Sequence, residues 1–438
     1  MTESLLIQGG RIIDPSQGID YKGSLLVTGG KVAWLGEGSP AVSDYAVLQV
    51  DGLIVCPGFV DLHCHLRQPG YEEKETIATG TAAAARGGFT TVCCMPNTEP
   101  PLDNEAMLNY VRTVAAREGV IRVFPIGCVT LGRKGEELVD MNELEMAGAV
   151  AYSDDGSPLS SPDIMRRALE YSRDFNRPII DHCENQFLTQ GGQINEGVVS
   201  LELNLQGIPA SAEELIIKRD IDLARETGGH LHVAHVSTEG SVDLIRQAKE
   251  EGVPVTAEVT PHHLTLTEEA ALGYNTNAKV NPPLRTKQDI QALLRGLNDG
   301  VIDIVATDHA PHTEVDKNCD FKQAAFGISG FETALGSLLS LVFKSDLSLN
   351  NLIEALTVGP ARVLGYEKLG TLEEGAPADI CIFDLHREWV VKPEKFVSRG
   401  KNTPLAGKTL KGMVMATIYQ GMPVYMDEAI KIEALKGK

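Results

Sequence analysis

Short apolar runs alternate with amphipathic segments through the middle of this chain. Apolar or β-branched runs recur at residues 53–62, 89–95, 120–126, 148–152, 178–181, 231–236, 253–259 and 301–306. The segments between them predict helices at residues 82–86, 104–117, 161–175, 211–227, 242–251 and 286–298. Strands that alternate with helices are typical of an α/β fold with a parallel sheet. Eight such units over about 300 residues favour a closed (β/α)8 TIM-like barrel with insertions.

The two ends of the chain have a different pattern. Short β-rich runs separated by turns such as Gly9-Gly10 and Gly29-Gly30 fill the beginning, and similar runs return near the end. Such runs are hairpin signals, yet neither end alone has enough strands for a stable core. We therefore predict a small composite β-sandwich domain built from residues 1–56 and 363–438, with residues 57–362 forming the catalytic barrel.

Polar side chains that can bind metal follow the predicted strands. His63 and His65 close the first run on one face, because side chains in a strand alternate. An open doubly wound sheet would usually have a Gly-rich phosphate loop at this point. The carboxyl ends of barrel strands meet at one rim, and the residues that follow the strands there are His63, His65, Asn97, Asp154, Asp155, His182, His235 and Asp308. The sequence therefore predicts a metal site, although an HxH pair alone also occurs on solvated strand edges.

Histidine and aspartate ligands suit zinc and other divalent first-row metals. The predicted set exceeds what one catalytic ion needs, which suggests two ions bridged by a carboxylate. A water held between such ions ionises near neutral pH and attacks an electrophilic carbon. Asp308 is the natural group to take the proton of that water and pass it to a leaving nitrogen. The residues at this rim therefore predict metal-assisted hydrolysis.

Composition narrows the class of protein. The chain has 438 residues, of which 43% are hydrophobic and 23% charged, as in ordinary globular proteins. A net charge of −21 argues against nucleic acid or an anionic membrane as partner. The eight cysteines form no CxxC framework, which favours buried thiols in a reducing compartment. Residues 1–4 indicate no signal peptide, and no run reaches the roughly 20 apolar residues of a membrane span, so we expect a cytoplasmic protein.

The strand-end motifs resemble those of dihydroorotases within the cyclic amidohydrolase superfamily. Residues 58–67 are Gly-Phe-Val-Asp-Leu-His-Cys-His-Leu-Arg, and residues 308–312 are Asp-His-Ala-Pro-His. Further matches lie at residues 96–98, 153–156, 181–184 and 235–237, so the resemblance spans nearly the whole chain. It implies a metal-dependent barrel with a composite β-domain. The implied activity is the interconversion of (S)-dihydroorotate and N-carbamoyl-L-aspartate in de novo pyrimidine synthesis.

The resemblance also implies a set of metal ligands. They are His63, His65 and Asp308 for one zinc ion, with His182 and His235 for the other. Many relatives place a carboxylated lysine between the ions on the fourth strand, but residues 146–156 contain no lysine. Asp155 resembles the bridging aspartate of the dihydroorotase class that lacks this lysine, with Asp154 left as the alternative.

Substrate contacts are implied in the same way. A ring amide that bears a carboxylate needs a fixed cation, and Arg67 has the geometry for a bidentate pair; a surface salt bridge is its alternative role. Asn281 resembles a residue that bonds the pyrimidine ring, with a turn cap before Pro282 as the alternative. The full set is His65, Arg67, Asn97, Asn281, His312, Phe326 and Gly327.

Two other functions stay open at the level of sequence. Another cyclic amidohydrolase, such as an allantoinase or a dihydropyrimidinase, would share the barrel, but the missing lysine and the Arg67–Asn97 pair count against it. A non-catalytic dihydroorotase-like scaffold that partners aspartate carbamoyltransferase would have lost metal ligands, whereas every expected position is filled here. The expected associations are one or two zinc ions, a small-molecule substrate, further copies of this chain and such a carbamoyltransferase.

Overall fold

The computed structural model describes residues 4–433 apart from residue 39 and residues 41–43. Residues 1–3, on which the prediction about a signal peptide partly rests, lie outside the described residues. The strands that open the chain are β1 (Ser4–Asp14), β2 (Ile19–Thr28), β3 (Lys31–Gly36), β4 (Ala46–Gln49) and β5 (Ile54–Pro57). The strands of the middle region are β6 (Phe59–Cys64), β7 (Phe89–Cys94), β8 (Arg122–Pro125), β9 (Ile179–Asp181), β10 (Ile194–Asn195), β11 (Gly207–Ile208), β12 (Leu231–Val233), β13 (Val255–Val259) and β14 (Ile304–Val305). The strands that end the chain are β15 (Ile380–Val390), β16 (Thr409–Tyr419), β17 (Met422–Met426) and β18 (Ile432–Glu433).

Helices occupy the intervals between the middle strands. In chain order they are α1 (Ile77–Arg86), α2 (Glu105–Glu118), α3 (Met141–Met146), α4 (Pro162–Arg173), α5 (Gln186–Thr189), α6 (Val198–Glu202), α7 (Ser211–Thr227), α8 (Glu239–Glu250), α9 (Pro261–Thr265), α10 (Lys287–Asn298), α11 (Glu314–Lys317), α12 (Ala334–Phe343), α13 (Leu349–Leu356) and α14 (Val358–Leu364). The longer helices keep one buried face; in α10 that face includes Leu293 and Leu297. The sequence analysis did not predict α12 to α14. Of these, α12 is apolar nearly all round and therefore lacks an amphipathic pattern.

The parallel strands of the middle region close into a barrel. One sheet has the order β6-β7-β8, and another has the order β14-β13-β12-β9. Tyr152 joins them through parallel bridges to Gly127 and Ile179, and a parallel bridge between Cys64 and His309 joins the last strand position to the first. The prediction of a (β/α)8 barrel with a β-sandwich domain is thus confirmed.

The fourth barrel position differs from the prediction of a strand at 148–152. Val150, Ala151 and Tyr152 make backbone hydrogen bonds to the neighbouring positions, and Tyr152 forms the isolated bridges. The side chain of Asp154 accepts hydrogen bonds from the backbone N–H groups of Val129 (2.8 Å) and Thr130 (3.1 Å). These two donors lie in the loop after β8, so Asp154 holds that loop in place. The fourth strand starts later than predicted because the N–H groups of Gly148 and Ala149 bond to carbonyls of α3.

A sheet of nine strands is built from both ends of the described chain. Its main path runs β17-β16-β15-β5-β1-β2-β3, and β4 pairs with β1 and with β18. The register of β1 shifts between Gln8 and Gly10, where Gly9 has a φ of +87°. This bulge lets the first half of β1 pair with β4 and its second half with β5. We call this unit the β-domain; its boundaries at residues 56–57 and 362–363 stay a prediction.

Two further features bear on the sequence analysis. None of the helices in the described part of the chain combines the length and the apolar character that a membrane span requires. All eight cysteines are free, and seven of them are buried. Cys64, which lies between two predicted ligands, donates from its thiol to the carbonyl of Cys93 and belongs to the core.

Candidate metal centre

The predicted ligands converge at one mouth of the barrel. All are buried, with exposed fractions from 0% to 6%. His63 lies in β6 and the others follow within a few residues of a strand position. They are His63, His65, Asp155, His182, His235 and Asp308. Residues that are far apart along the chain therefore meet because parallel barrel strands end at a common rim.

The backbone is unusual where the strands end at this mouth. His235 and Asp308 have φ values of +32° and +43°, and Arg67 has a φ of +62°. A side chain with a Cβ rarely adopts this left-handed region, and holding it there costs about 1–3 kcal/mol per residue. Strain of this kind clusters at functional sites, and here it turns three side chains back over the barrel mouth. At His235 it also ends β12 before the predicted run of residues 231–236 is complete.

The first group of donors contains His63, His65 and Asp308. Asp308 Oδ1 lies 3.1 Å from His65 Nε2 and 3.6 Å from His63 Nε2. His63 Nε2 is buried and has no hydrogen-bond partner among the described residues. A buried nitrogen without a partner costs free energy unless a ligand satisfies it.

Asp155 lies between the first group and a second group of donors. Its carboxylate is 3.3 Å from His63 Nε2 and 3.7 Å from His65 Nε2. It is 3.8 Å from His182 Nδ1 and 4.0 Å from His235 Nε2. His182 Nδ1 and His235 Nε2 are themselves 2.8 Å apart. One carboxylate thus faces four imidazoles, as a group that bridges two ions must.

These donors fit metal ions on geometric grounds. Around a tetrahedral zinc ion with bonds of about 2.0–2.1 Å, neighbouring ligand atoms lie about 3.3–3.5 Å apart. The separations of 3.1–3.8 Å between the carboxylates and His63, His65 and His182 bracket this value. His63 forms compact donor groups both with His65 and Asp308 and with Asp155 and His235.

The charges at the site also fit metal binding. Burial opposes ionisation of Asp155 and Asp308, but the neighbouring histidines hold the pKa of each carboxyl below its usual range. Burial and the charge of His182 lower the pKa of His235 to about 3. Burial also works against charging His63, yet Glu258 and Asp155 raise its pKa well above the usual value. A metal ion must therefore displace a proton from His63, so metal binding and pH are coupled.

Glu258 is a functional residue that the sequence analysis missed. It lies in β13, is fully buried, and accepts from the backbone N–H of His235 at 3.2 Å. Its Oε1 is 2.6 Å from His63 Nδ1, and its Oε2 is 3.2 Å from His232 Nε2. The charge of His63 lowers the pKa of Glu258 to about 2 against the effect of burial. A glutamate at the centre of a buried strand was the only sequence signal for it.

The two candidates for the bridging aspartate have different surroundings. Asp155 faces the imidazoles. Asp154 points away from them, towards the backbone of Val129 and Thr130 and the hydroxyl of Thr130. The two side chains therefore have different partners, and only the carboxylate of Asp155 lies among the imidazoles.

Arg67 and His312 lie together beside the first donor group. Arg67 donates from Nε to the carbonyl of Pro311 at 3.3 Å, and its Nη2 is 3.4 Å from His312 Nε2. His312 Nε2 is also 2.8 Å from the carbonyl of Phe326, which can only accept, so this nitrogen carries the proton. Burial and the charge of Arg67 lower the pKa of His312 to about 3. The pair therefore places a permanent cation, which suits a carboxylate, beside a neutral imidazole whose one N–H is donated to Phe326.

Asn97 and Asn281 contact the metal-centre side chains directly. Asn97 Oδ1 accepts from His65 Nδ1 at 2.9 Å, and its Nδ2 donates to Asp155 Oδ2 at 3.1 Å. Asn281 Nδ2 donates to Glu184 at 2.8 Å and lies 3.2 Å from His182 Nε2. Both amides thus line the centre and orient its ligands.

Phe326 and Gly327 pack beside His312 in the wall of the mouth. Gly327 has a φ of +141°, and a Cβ on it would lie 2.8 Å from the Cβ of Ala310. Its N–H donates to the carbonyl of Lys279 at 2.9 Å, and its carbonyl accepts from Asn402 at 3.0 Å. Glycine is required here because this wall packs against the loop after β14.

Comparison with known proteins gives the following matches. A dihydro-orotase-like family model matches residues 52–241, and an amidohydrolase family model matches residues 222–425. A dihydroorotase from Caldanaerobacter subterraneus subsp. tengcongensis is 50% identical over 422 residues, which covers 96% of this chain and 97% of the relative. A dihydroorotase from Pelotomaculum thermopropionicum is 50% identical over 428 residues, or 98% and 100% of the two chains.

Solved structures give a consistent match in fold. L-hydantoinase from Arthrobacter aurescens has a TM-score of 0.88 at 28% identity, with 99% of this chain and 98% of that chain covered. A dihydropyrimidinase from Brevibacillus agri has a TM-score of 0.83 at 23% identity, with 98% and 97% covered. The whole chain therefore shares its architecture with these proteins.

Proposed function

This chain belongs to the dihydroorotase family of metal-dependent cyclic amidohydrolases, and we propose that its six gathered ligands hold zinc while the neighbouring pocket holds dihydroorotate. The reaction is the reversible opening of dihydroorotate to N-carbamoyl-L-aspartate. Opening adds water across a ring amide: an oxygen bonds to the carbonyl carbon, the C–N bond breaks, and the nitrogen takes a proton. The site must therefore supply an activated water, a proton carrier and a group that binds the substrate carboxylate.

Zinc is the ion that we propose, as one or two ions per chain. His63, His65 and Asp308 would hold one ion, His182 and His235 the other, and Asp155 would bridge them. Bound divalent ions of this kind lower the pKa of water to about 7 and polarise a carbonyl oxygen. The observation that carries this proposal is the carboxylate of Asp155, which lies 3.3–4.0 Å from donor nitrogens of four histidines.

Asp308 is the catalytic residue that we propose for proton transfer. Its Oδ1 lies 3.1 Å from His65 Nε2, and its lowered pKa keeps the carboxylate ionised at neutral pH. An ionised carboxylate can take a proton from the attacking water and give it to the ring nitrogen once the C–N bond breaks. Because the reaction is reversible, the same carboxylate takes that proton back during ring closure.

The substrate carboxylate is proposed to bind between Arg67, His312 and Asn97. A guanidinium makes two parallel hydrogen bonds to a carboxylate, and the uncharged ring of His312 lies beside that guanidinium. Asn281 and the Phe326–Gly327 peptide are proposed to contact the ring, with His65 contributing from the metal side. Uncharged rings lack the group that Arg67 recognises.

A turnover comparison tests the proposed function. Zinc-loaded protein should open dihydroorotate with a kcat/KM at least about 100-fold higher than for hydantoin or allantoin, which lack a carboxylate on the ring. A preference for an uncharged ring would reject the substrate and point to the related hydantoinase or allantoinase chemistry. Failure to turn over any of the three, with zinc bound, would favour the non-catalytic scaffold.

Two associations and the cellular location of the protein stay predictions. We propose that the chain forms homo-oligomers, that it associates with aspartate carbamoyltransferase, and that it works in the cytoplasm. Light scattering of the purified chain alone and mixed with the carbamoyltransferase tests the first two. A monomer whose mass does not change in the mixture would reject both.

A further inference from the structure

The connection between β15 and β16 crosses from the β-domain to the mouth of the barrel. It spans residues 391–408 and includes a short 3-10 turn at Pro393–Lys395. Beyond the turn, Phe396, Ser398, Gly400 and Asn402 are buried, and the residues between them are exposed. We call residues 396–402 the crossing segment. This alternation means that the segment lays one face on the barrel.

The first half of the crossing segment is tied to the barrel by two buried acids. Glu332 accepts from the backbone N–H groups of Val397 (3.0 Å) and Ser398 (3.2 Å). The Ser398 hydroxyl donates to Glu75, which also accepts from the N–H of Arg399 at 3.3 Å. The segment is therefore fixed before it reaches the mouth.

Gly400 then brings the backbone against the loop that follows β14. A Cβ on Gly400 would lie 2.4 Å from the Cβ of Pro311 and 2.5 Å from the Oγ of Ser329. Only glycine allows so close an approach. The next buried side chain, Asn402, consequently reaches between two stretches of the barrel.

Asn402 makes four hydrogen bonds with its side chain and is only 4% exposed. Its Oδ1 accepts from the N–H of His312 and from the hydroxyl of Ser329, both at 2.9 Å. Its Nδ2 donates to the carbonyls of Ala310 and Gly327, both at 3.0 Å. A primary amide has two protons and two lone pairs, so every one is used.

The two stretches that Asn402 joins carry residues proposed to hold substrate. Residues 310–312 end in His312, and residues 327–329 begin with Gly327, directly after Phe326. The side-chain amide of Asn402 therefore connects the β-domain to both stretches that are proposed to line the substrate pocket.

We infer that Asn402 is a positioning residue for substrate binding, through which the β-domain sets the places of His312 and Gly327. The inference rests on the proposed function, since it takes those two residues as substrate contacts. An amide is needed at this position, because a carboxylate of the same shape accepts but cannot donate to the carbonyls of Ala310 and Gly327.

The test compares Asn402→Asp with wild type. For dihydroorotate, KM should rise about tenfold or more, while kcat stays within about threefold and zinc content is unchanged. Thr403→Val is the matched control: Thr403 is the buried neighbour whose hydroxyl accepts only from the N–H of Leu405 among the described residues. Its KM and kcat should stay within about twofold of wild type.

Several results would overturn the inference. Asn402→Asp with a wild-type KM would do so, and so would an equal KM rise in Thr403→Val. If Asn402→Asp yields too little folded protein, Ser329→Ala removes one of the four bonds; a KM raised about two- to fivefold supports the inference, and an unchanged KM overturns it.

A double-mutant cycle separates positioning from general damage. If Asn402 acts through His312, combining Asn402→Asp with His312→Ala should raise KM much less than the product of the two single effects. A KM increase in the double variant that equals the product of the two single increases would overturn the inference. Wild-type protein that does not turn over dihydroorotate would reject the proposed function, and the inference with it. An active wild type with an unaffected Asn402→Asp variant would reject the inference alone.

Discussion

His63 Nδ1 lies 2.6 Å from Oε1 of Glu258, which reaches it from another barrel strand. Since the carboxylate is ionised, Nδ1 must carry the proton and Nε2 is the nitrogen that faces Asp155 and Asp308. The same carboxylate accepts from the backbone N–H of His235, a ligand of the other proposed ion. Glu258 thereby orients His63 and His235, the proposed ligands of two different ions.

Removing Glu258 should weaken metal binding. Losing a carboxylate that supports a ligating histidine typically costs 10–100-fold in metal affinity, so we expect a loss of about this size in Glu258→Ala and a smaller one in Glu258→Gln. Competition with a chelator of known affinity measures it. Thr256→Val is the control, because Thr256 contacts Glu258 only through His232. Equal zinc affinity in Glu258→Ala and wild type would contradict the role.

The neighbouring aspartates should respond differently to the same substitution. Asp155→Asn should bind fewer zinc ions than wild type and lose at least about 100-fold in kcat, since the bridging charge is gone. Asp154→Asn should keep its zinc but lose about 1–3 kcal/mol of stability, because the oxygen that accepts from the buried Thr130 hydroxyl becomes an NH2 group that cannot accept. Metal analysis and urea unfolding of both variants measure these effects. The reverse pattern would identify Asp154 as the bridge.

Arg67 should matter for the charged substrate only. Arg67→Met should raise KM for dihydroorotate about 30-fold or more, because it removes a buried charge-assisted pair. Turnover of dihydrouracil, the ring without the carboxylate, should change little. Arg122→Met serves as control, since Arg122 pairs with Asp379 at 2.7 Å away from the site. A KM for dihydroorotate that does not change would mean that another cation holds the carboxylate.

Glu332 should make stability depend on pH. Burial raises its pKa to about 7, from an ordinary value of 4.5. Between these pH values the folded state holds a proton that the unfolded chain has lost, so the free energy of unfolding falls as pH rises through this window. Glu332→Gln removes the effect, and its stability relative to wild type should rise by about 2–3 kcal/mol from pH 5 to pH 8.

Urea unfolding of both proteins at the two pH values checks this prediction. The exposed Glu388→Gln variant is the control and should track wild type at both. A difference between Glu332→Gln and wild type that stays constant within about 0.5 kcal/mol would show that Glu332 is already ionised at pH 5.

The sequence predicted those features that depend on local pattern. His63 and His65 were found because two same-face histidines end an apolar run, and the rule that barrel strands end at one rim brought in His182, His235 and Asp308. Amphipathic spacing located helices such as α4 and α10. The fourth strand is shorter than the predicted residues 148–152, because the N–H groups of Gly148 and Ala149 still bond to carbonyls of α3.

Residues whose contacts are distant in sequence gave no such signal. Glu258 lies in a run that is otherwise apolar, and its partners His63 and His232 are 195 and 26 residues away in sequence. Asn402 sits in a loop of the β-domain and meets His312 across 90 residues. Their roles follow from which side chains the folded barrel brings together, so only the three-dimensional structure identifies them.

The central claim is that distant imidazoles and aspartates gather to hold metal ions on which the hydrolysis depends. The most direct measurement is turnover of dihydroorotate by protein stripped with dipicolinate and then titrated with zinc. The account predicts activity below about 1% of the starting value after stripping, and recovery in proportion to bound zinc up to one or two ions per chain. Full activity in protein shown by metal analysis to be free of bound ions would contradict it.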